Sequence, residues 1–203
     1  MRKAAIATGS IRLFFSPSDH SSTKPAVFVD RDGVINEKIT GGYVTGWDSF
    51  RFIPGITEAL RALSSLGLPV IVVSNQAGVG KGLVSRRALG QITRRFVTTL
   101  RKEGARIDAV YYCPHVPDSG CNCRKPKPGL LEQAAEDWGV DLSRSVLIGD
   151  SQSDLEAAAT VGCQAVIFTT DIGEQCDSPS IPNAVRNVSD LSATVAGLLK
   201  DLT

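Results

Sequence analysis

The sequence predicts an α/β fold built as a three-layer, doubly wound parallel sheet. Three observations lead there. Short apolar runs rich in Val and Ile recur without period-2 alternation, as strands buried on both faces do. Segments of helical periodicity lie between them, so strand and helix alternate and right-handed βαβ units follow. Polar motifs fall just past the strand ends, where open α/β sheets bind ligands.

In chain order, residues 1–24 mix Arg2, Lys3 and Arg12 with Ser, Thr and Pro, and Arg12 interrupts the short apolar stretch of residues 11–15. No signal-peptide core is present there, and a loosely ordered extension is expected. Residues 25–203 read as one domain. Its predicted strands are 26–29, 69–73, 109–112, 146–148 and 165–168. A helix over 56–66 follows Pro54-Gly55 and stops at Gly67; the next, 85–102, stops before Gly104. Helices over 130–138 and 154–161 end at Gly139 and Gly162, the residue type that terminates helices. A last helix, 191–199, has Ser189 or Asp190 as its expected cap. Residues 173–183, around Cys176, hold Pro179 and Pro182 and read as a surface loop.

Composition narrows the function. The 203 residues carry a formal net charge of +1, which gives no electrostatic case for nucleic acid or an acidic membrane surface. No apolar run approaches the roughly 20 residues that span a bilayer. Five cysteines, three of them within residues 113–123, fit a metal site in a reducing compartment better than a secreted disulfide framework. Cytoplasm is the expected location.

The first strand runs into Asp30-Arg31-Asp32-Gly33, the second into Ser74-Asn75-Gln76, the third into Cys113-Pro114-His115, the fourth into Gly149-Asp150-Ser151. Residues i and i+2 of a strand point the same way, and two carboxylates that close need a cation or a proton between them. Asp30, Asp32 and Asp150 are therefore the expected oxygen ligands of one Mg²⁺. A carboxylate beside that ion can attack phosphorus, and a second can protonate the leaving oxygen and then activate water. Ser74 and Lys125 offer donors for the phosphoryl group, with Lys81 and Lys127 as weaker cations. Asp154 reads as a residue at a helix start. Cys113, His115, Cys121 and Cys123 make a complete set for a tetrahedral, structural Zn²⁺, which would fix the loop carrying Arg124 and Lys125. The glycines 78, 80 and 82 match neither nucleotide-loop spacing and read as a flexible turn for close backbone approach to a ligand.

Across residues 26 to about 170 these motifs, in this order, resemble the haloacid dehalogenase (HAD) superfamily, whose core is Rossmann-type. D-R-D-G-V-I-N, S-N-Q-A-G-V-G-K-G, C-P-H and C-x-C-R-K-P-K-P-G are similar to the zinc-containing heptose bisphosphate and histidinol phosphatase group. The resemblance implies Asp30 as nucleophile and Mg²⁺ ligand, and Asp32 as general acid/base whose carbonyl meets the metal. It implies Asp150 as third ligand, Ser74 and Lys125 as phosphoryl stabilisers, and Gly42, Tyr43, Asn75, Gln76, Ala77 and Arg124 as substrate-binding residues. The link from Asn36 to the Gly41-Gly42-Tyr43-Val44 segment is slightly longer here. No large cap domain is expected, and a monomer is. The expected substrate is a small phosphorylated sugar, D-glycero-D-manno-heptose 1,7-bisphosphate, losing its 7-phosphate. Histidinol phosphate is the alternative substrate; a catalytically inactive, zinc-stabilised interaction protein is the alternative of another class.

Overall fold

The computed structural model describes residues 9–18, 23–168, 184–185 and 188–201. The predicted loop 173–183, with Cys176, lies outside the described residues. Seven strands among the described residues form one sheet: β1 (Ile11–Phe14), β2 (Val27–Val29), β3 (Val70–Asn75), β4 (Ala109–Cys113), β5 (Val146–Gly149), β6 (Gln164–Phe168) and β7 (Ala184–Val185). Their spatial order is β1-β4-β3-β2-β5-β6-β7. The helices are α1 (Ile56–Ser64), α2 (Ala77–Gly80), α3 (Arg86–Lys102), α4 (Gly129–Trp138), α5 (Gln152–Thr160) and α6 (Val188–Asp201). All strand pairs are parallel except β1 with β4.

The apolar strands are buried on both faces because each face has its own helical layer. Val27, Val29, Val70 and Val72 pack with Leu60 and Leu63 of α1, Phe96 of α3 and Leu191 of α6. Phe28, Ile71 and Val73 turn the opposite way, toward Leu130, Leu131 and Trp138 of α4 and Ala157 of α5. Each fully buried Leu contributes about 1.5–3 kcal/mol relative to exposure. Ser85 caps α3, its Oγ accepting from Ala88 N at 3.0 Å. Gly139 ends α4 in the left-handed region at φ 62°, as its position predicts.

Three local expectations are corrected. Residues 11–14 are not a loose extension: β1 pairs antiparallel with β4 in the register Ile11 to Tyr112, and Arg12 bonds Asp137 at 2.9 Å. α6 begins at Val188, so Ser189 and Asp190 lie inside its first turn rather than capping it. The glycine turn is in part a short helix, α2, whose Gly78 and Gly80 pack closely against protein, while Gly82 follows it at φ 72°. No described helix is long and apolar enough to cross a membrane.

Candidate active site

The sheet order places β2 between β3, reached next along the chain, and β5, reached two crossovers later. Such a switch point opens a crevice at the carboxyl ends of the strands. Asp30 follows β2 directly, and its N–H donates to Ile148 O of β5 at 2.8 Å. β2 ends at Val29, so Asp30 and Asp32 sit on the loop beyond the strand rather than on it. Both still line one cavity of about 370 Å³, together with Ser74, Asn75, Arg124, Lys125 and Asp150.

The acidic cluster at its floor differs from the expected one. Side-chain oxygens of Asp30, Asp150 and Asp154 lie within 4.8 Å of one another. Asp154, read from sequence as a helix-start residue, is fully buried in the first turn of α5, and Ser151 Oγ donates to its Oδ2 at 2.5 Å. Gly149 makes this possible: a Cβ there would stand 2.3 Å from Asp154 Cγ. Lys125 Nζ, also buried, donates to Asp154 Oδ1 at 2.5 Å and Val73 O at 2.8 Å, and pairs with Asp30 Oδ1 at 3.2 Å. Asn75 anchors the Lys125 backbone by accepting its N–H at 3.1 Å and donating to its carbonyl at 3.0 Å.

Burial pushes the Asp30 carboxyl up to about 7, against the pull of Lys125 and with the push of Asp154, Asp150 and Asp32. Burial also raises Asp150, opposed by Lys38, whose Nζ reaches Asp150 Oδ2 at 2.6 Å. Lys125 is held protonated: burial opposes its charge, but Asp154 and Asp30 outweigh that. Three carboxylates around one buried ammonium still lack positive charge, and a hard cation with oxygen ligands fits that donor set.

Asp32 faces the cavity but is tied from behind. Arg31, fully buried, spans both its oxygens at 2.7 and 2.8 Å; Asn36 donates to Oδ1 at 2.9 Å and Gln76 to Oδ2 at 2.7 Å. Burial would raise this carboxyl, yet Arg31, Asn36 and Gln76 hold it below the ordinary range. Its side chain is thus engaged away from the acidic trio. Gln76 and Ala77 are buried and do not line the cavity, and Gln76 also bonds Ser74 Oγ at 3.2 Å.

The 37–50 loop closes one side, contributing Lys38, Gly42 and Tyr43. The Tyr43 ring rests on α2: a Cβ at Gly78 would stand 2.9 Å from it, and Lys81 Nζ lies 5.4 Å from the ring centroid. Gly80 lets α2 approach the next loop, where a Cβ would meet Pro114 O at 2.7 Å. Lys81 and Lys127 are outside the cavity; Lys127 bonds Cys121 O at 3.0 Å. Sequence reasoning missed Lys38, the pairing of Asp154 with Lys125, and the role of Arg31 and Asn36 as partners of Asp32.

Cys113, His115, Cys121 and Cys123 also come together, their ligand atoms within 4.8 Å of one another and no disulfide among them. Cys113 Sγ lies 3.7 Å from Cys121 Sγ and 3.5 Å from His115 Nδ1, which is 3.3 Å from Cys123 Sγ. A tetrahedral shell with metal–sulfur bonds of about 2.3 Å has sulfurs about 3.7 Å apart, so the group fits such an ion. Hydrogen bonding with Cys123 pulls the Cys113 thiol down to about 5 and pushes Cys123 up, leaving a thiolate ready to ligate. The adjoining Arg124 donates to His115 O at 3.4 Å.

Comparison with known proteins gives a consistent picture. The HAD-hydrolase-like family profile matches residues 122–193. The chain is 38% identical over 178 residues to the D-glycero-beta-D-manno-heptose-1,7-bisphosphate 7-phosphatase of Pseudomonas aeruginosa, covering 88% of this chain and 99% of that one. The enzyme of the same name from Photorhabdus laumondii is 36% identical over 186 residues, covering 87% and 97%. Among solved structures, the D,D-heptose 1,7-bisphosphate phosphatase of B. bronchiseptica, complexed with magnesium and phosphate, matches with a TM-score of 0.74 at 31% identity, covering 87% of this chain and 99% of that one.

Proposed function

The chain belongs to the HAD-like hydrolases, with the heptose-bisphosphate phosphatases as its relatives, and we propose that it is a Mg²⁺-dependent phosphomonoesterase acting on D-glycero-D-manno-heptose 1,7-bisphosphate. One observation carries the proposal: Asp30, at the switch point, is flanked by Lys125 Nζ at 3.2 Å and by the oxygens of Asp150 and Asp154.

In this reading Asp30 Oδ attacks the phosphorus of the 7-phosphate, and the bond to the sugar oxygen breaks. Asp32, protonated once the anionic substrate offsets the hold of Arg31 on it, gives that oxygen its proton, leaving an aspartyl-phosphate on Asp30. Asp32, now a carboxylate, takes a proton from water, whose oxygen attacks phosphorus; the P–O bond to Asp30 breaks and inorganic phosphate leaves. Lys125 and Ser74 stabilise the phosphoryl oxygens. Asp30, Asp150 and the backbone carbonyl of Asp32 would hold Mg²⁺, which supplies charge to offset the repulsion between Asp30 and the phosphate. Arg31, Asn36 and Gln76 orient Asp32. Zn²⁺ in the Cys113, His115, Cys121 and Cys123 shell would hold the Arg124–Lys125 loop in place. Gly42, Tyr43, Asn75 and Arg124 contact the substrate; Gln76 and Ala77 act from behind the wall. Arg124 and Lys38 favour a second phosphate over the cationic histidinol. We further place the protein in the cytoplasm as a monomer, with residues 25–203 as the phosphatase domain.

The test is phosphate release from the α and β heptose 1,7-bisphosphates and histidinol phosphate with Mg²⁺, using Asp30→Asn as control. Fastest Asp30-dependent release from a heptose bisphosphate is expected, with the β anomer of the relatives' names first to try. Fastest release from histidinol phosphate replaces the substrate, and no Asp30-dependent release from any of them ends the proposal.

A further inference from the structure

Lys38 lines the cavity but takes no step in the proposed chemistry beyond favouring a second phosphate. Its base is fixed: Asn36 bridges to Phe52, and Glu37 N–H donates to Arg51 O at 2.8 Å. Its side chain is 59% exposed, and Nζ spans to Asp150 Oδ2 at 2.6 Å. Lys125, by contrast, is locked by Asp154, Asp30 and Val73 O. Asp150 Oδ2 is crowded against Gly33, where a Cβ would stand 2.1 Å away, so this carboxylate is packed into the floor rather than turned to solvent.

Asp150 is one of the oxygens a divalent ion would take. An ammonium bonded to one oxygen of that carboxylate repels a dication arriving at either of its oxygens. The stem of a lysine carries four flexible carbons, and Lys38 lines the same cavity as Tyr43 and Arg124, where an anionic substrate would lie.

Resting on the phosphatase reading above, we propose that Lys38 is a substrate-positioning residue with two stations: it holds Asp150 in the metal-free protein and, displaced by the metal ion, turns to a phosphate group. Its charge thereby opposes metal entry and makes phosphate binding depend on metal already being present. The order of loading, metal first and phosphate second, is built into one side chain.

The test measures binding rather than turnover. Calorimetric titration with Mg²⁺ alone compares the parent chain with Lys38→Met and Lys38→Arg. Lys38→Met is expected to bind Mg²⁺ about 3- to 10-fold tighter, since a partly exposed ion pair no longer competes, while Lys38→Arg stays near the parent. Inorganic phosphate, titrated into the Mg²⁺-loaded proteins, is expected to bind Lys38→Met about 3- to 10-fold more weakly. In the metal-free proteins the difference should vanish. Equal Mg²⁺ affinity in parent and Lys38→Met, or equal phosphate affinity when loaded, overturns the proposal. A parent chain that releases no phosphate from any heptose bisphosphate, yet shows both shifts, loses the substrate reading and keeps the role of Lys38. Thermal melts of each variant confirm that the fold is retained.

Discussion

Lys125 and Asp154, 29 positions apart in sequence, form a 2.5 Å ion pair with both side chains almost wholly buried. The lysine arrives on the loop after the Cys/His cluster and the aspartate on the first turn of α5, so the pair ties two loops of the cavity together. Removing one partner of a buried pair costs about 3–5 kcal/mol. Asp154→Asn should therefore melt about 6–20 °C lower, given 2–4 °C per kcal/mol for a domain of this size. A melting temperature within 2 °C of the parent would show that Asp30 alone suffices for Lys125.

The raised pKa of Asp30 sets a pH dependence. In the metal-free fold it titrates at about 7 instead of 3.8, so the folded state binds the proton more tightly. Stability from this group is therefore greatest at low pH and falls as pH rises from about 4 to about 7. A metal ion needs the ionised form, so its stabilising effect should grow over the same window. The gain in melting temperature on adding Mg²⁺ is expected to be larger at pH 8 than at pH 5; an equal gain would mean that Asp30 is not a ligand.

Gly78 carries the seat of Tyr43. A Cβ at 2.9 Å from the ring must push it and the 37–50 loop outward. Gly78→Ala is expected to raise KM for the bisphosphate about tenfold while changing kcat and melting temperature little. Steady-state kinetics beside a thermal melt separates this from general destabilisation, which would lower the melting temperature and leave KM unchanged.

The Cys/His cluster should contain one metal ion per chain. Elemental analysis of the purified protein is expected to give about one zinc, lost in Cys121→Ser, with a fall in melting temperature of about 5–10 °C. Because Gly129 lets α4 pack against that loop, its N–H donating to Asn122 O at 3.2 Å, loss of the metal should also loosen Lys125. Metal-free parent protein with an unchanged melting temperature would leave the four residues as a thiol cluster.

Much of this was legible in the chain because burial and chemistry leave separate marks. Val27 to Val29 is apolar at every position since both faces are covered, and a charged residue following it at once has no packing reason to be there. The Cys/His set was legible because its members are close in sequence. Residues defined by distant partners were not: Lys38 meets Asp150 across 112 positions, and nothing local to Glu37-Lys38 announces it. Asp154 does sit at a helix start, but its pairing with Lys125, 29 positions away, has no local mark. β1 was missed since Arg12 breaks its apolar run, and on an edge strand that is the residue that reaches outward, to Asp137.

That edge has a practical consequence for handling the protein. β1 covers the outer side of β4, whose five residues are all buried. A chain trimmed to begin at residue 25 would expose an apolar strand with unpaired amides, a template for pairing with another chain. Such a product should clump at concentrations where the full chain stays dispersed, whatever its active site can still do.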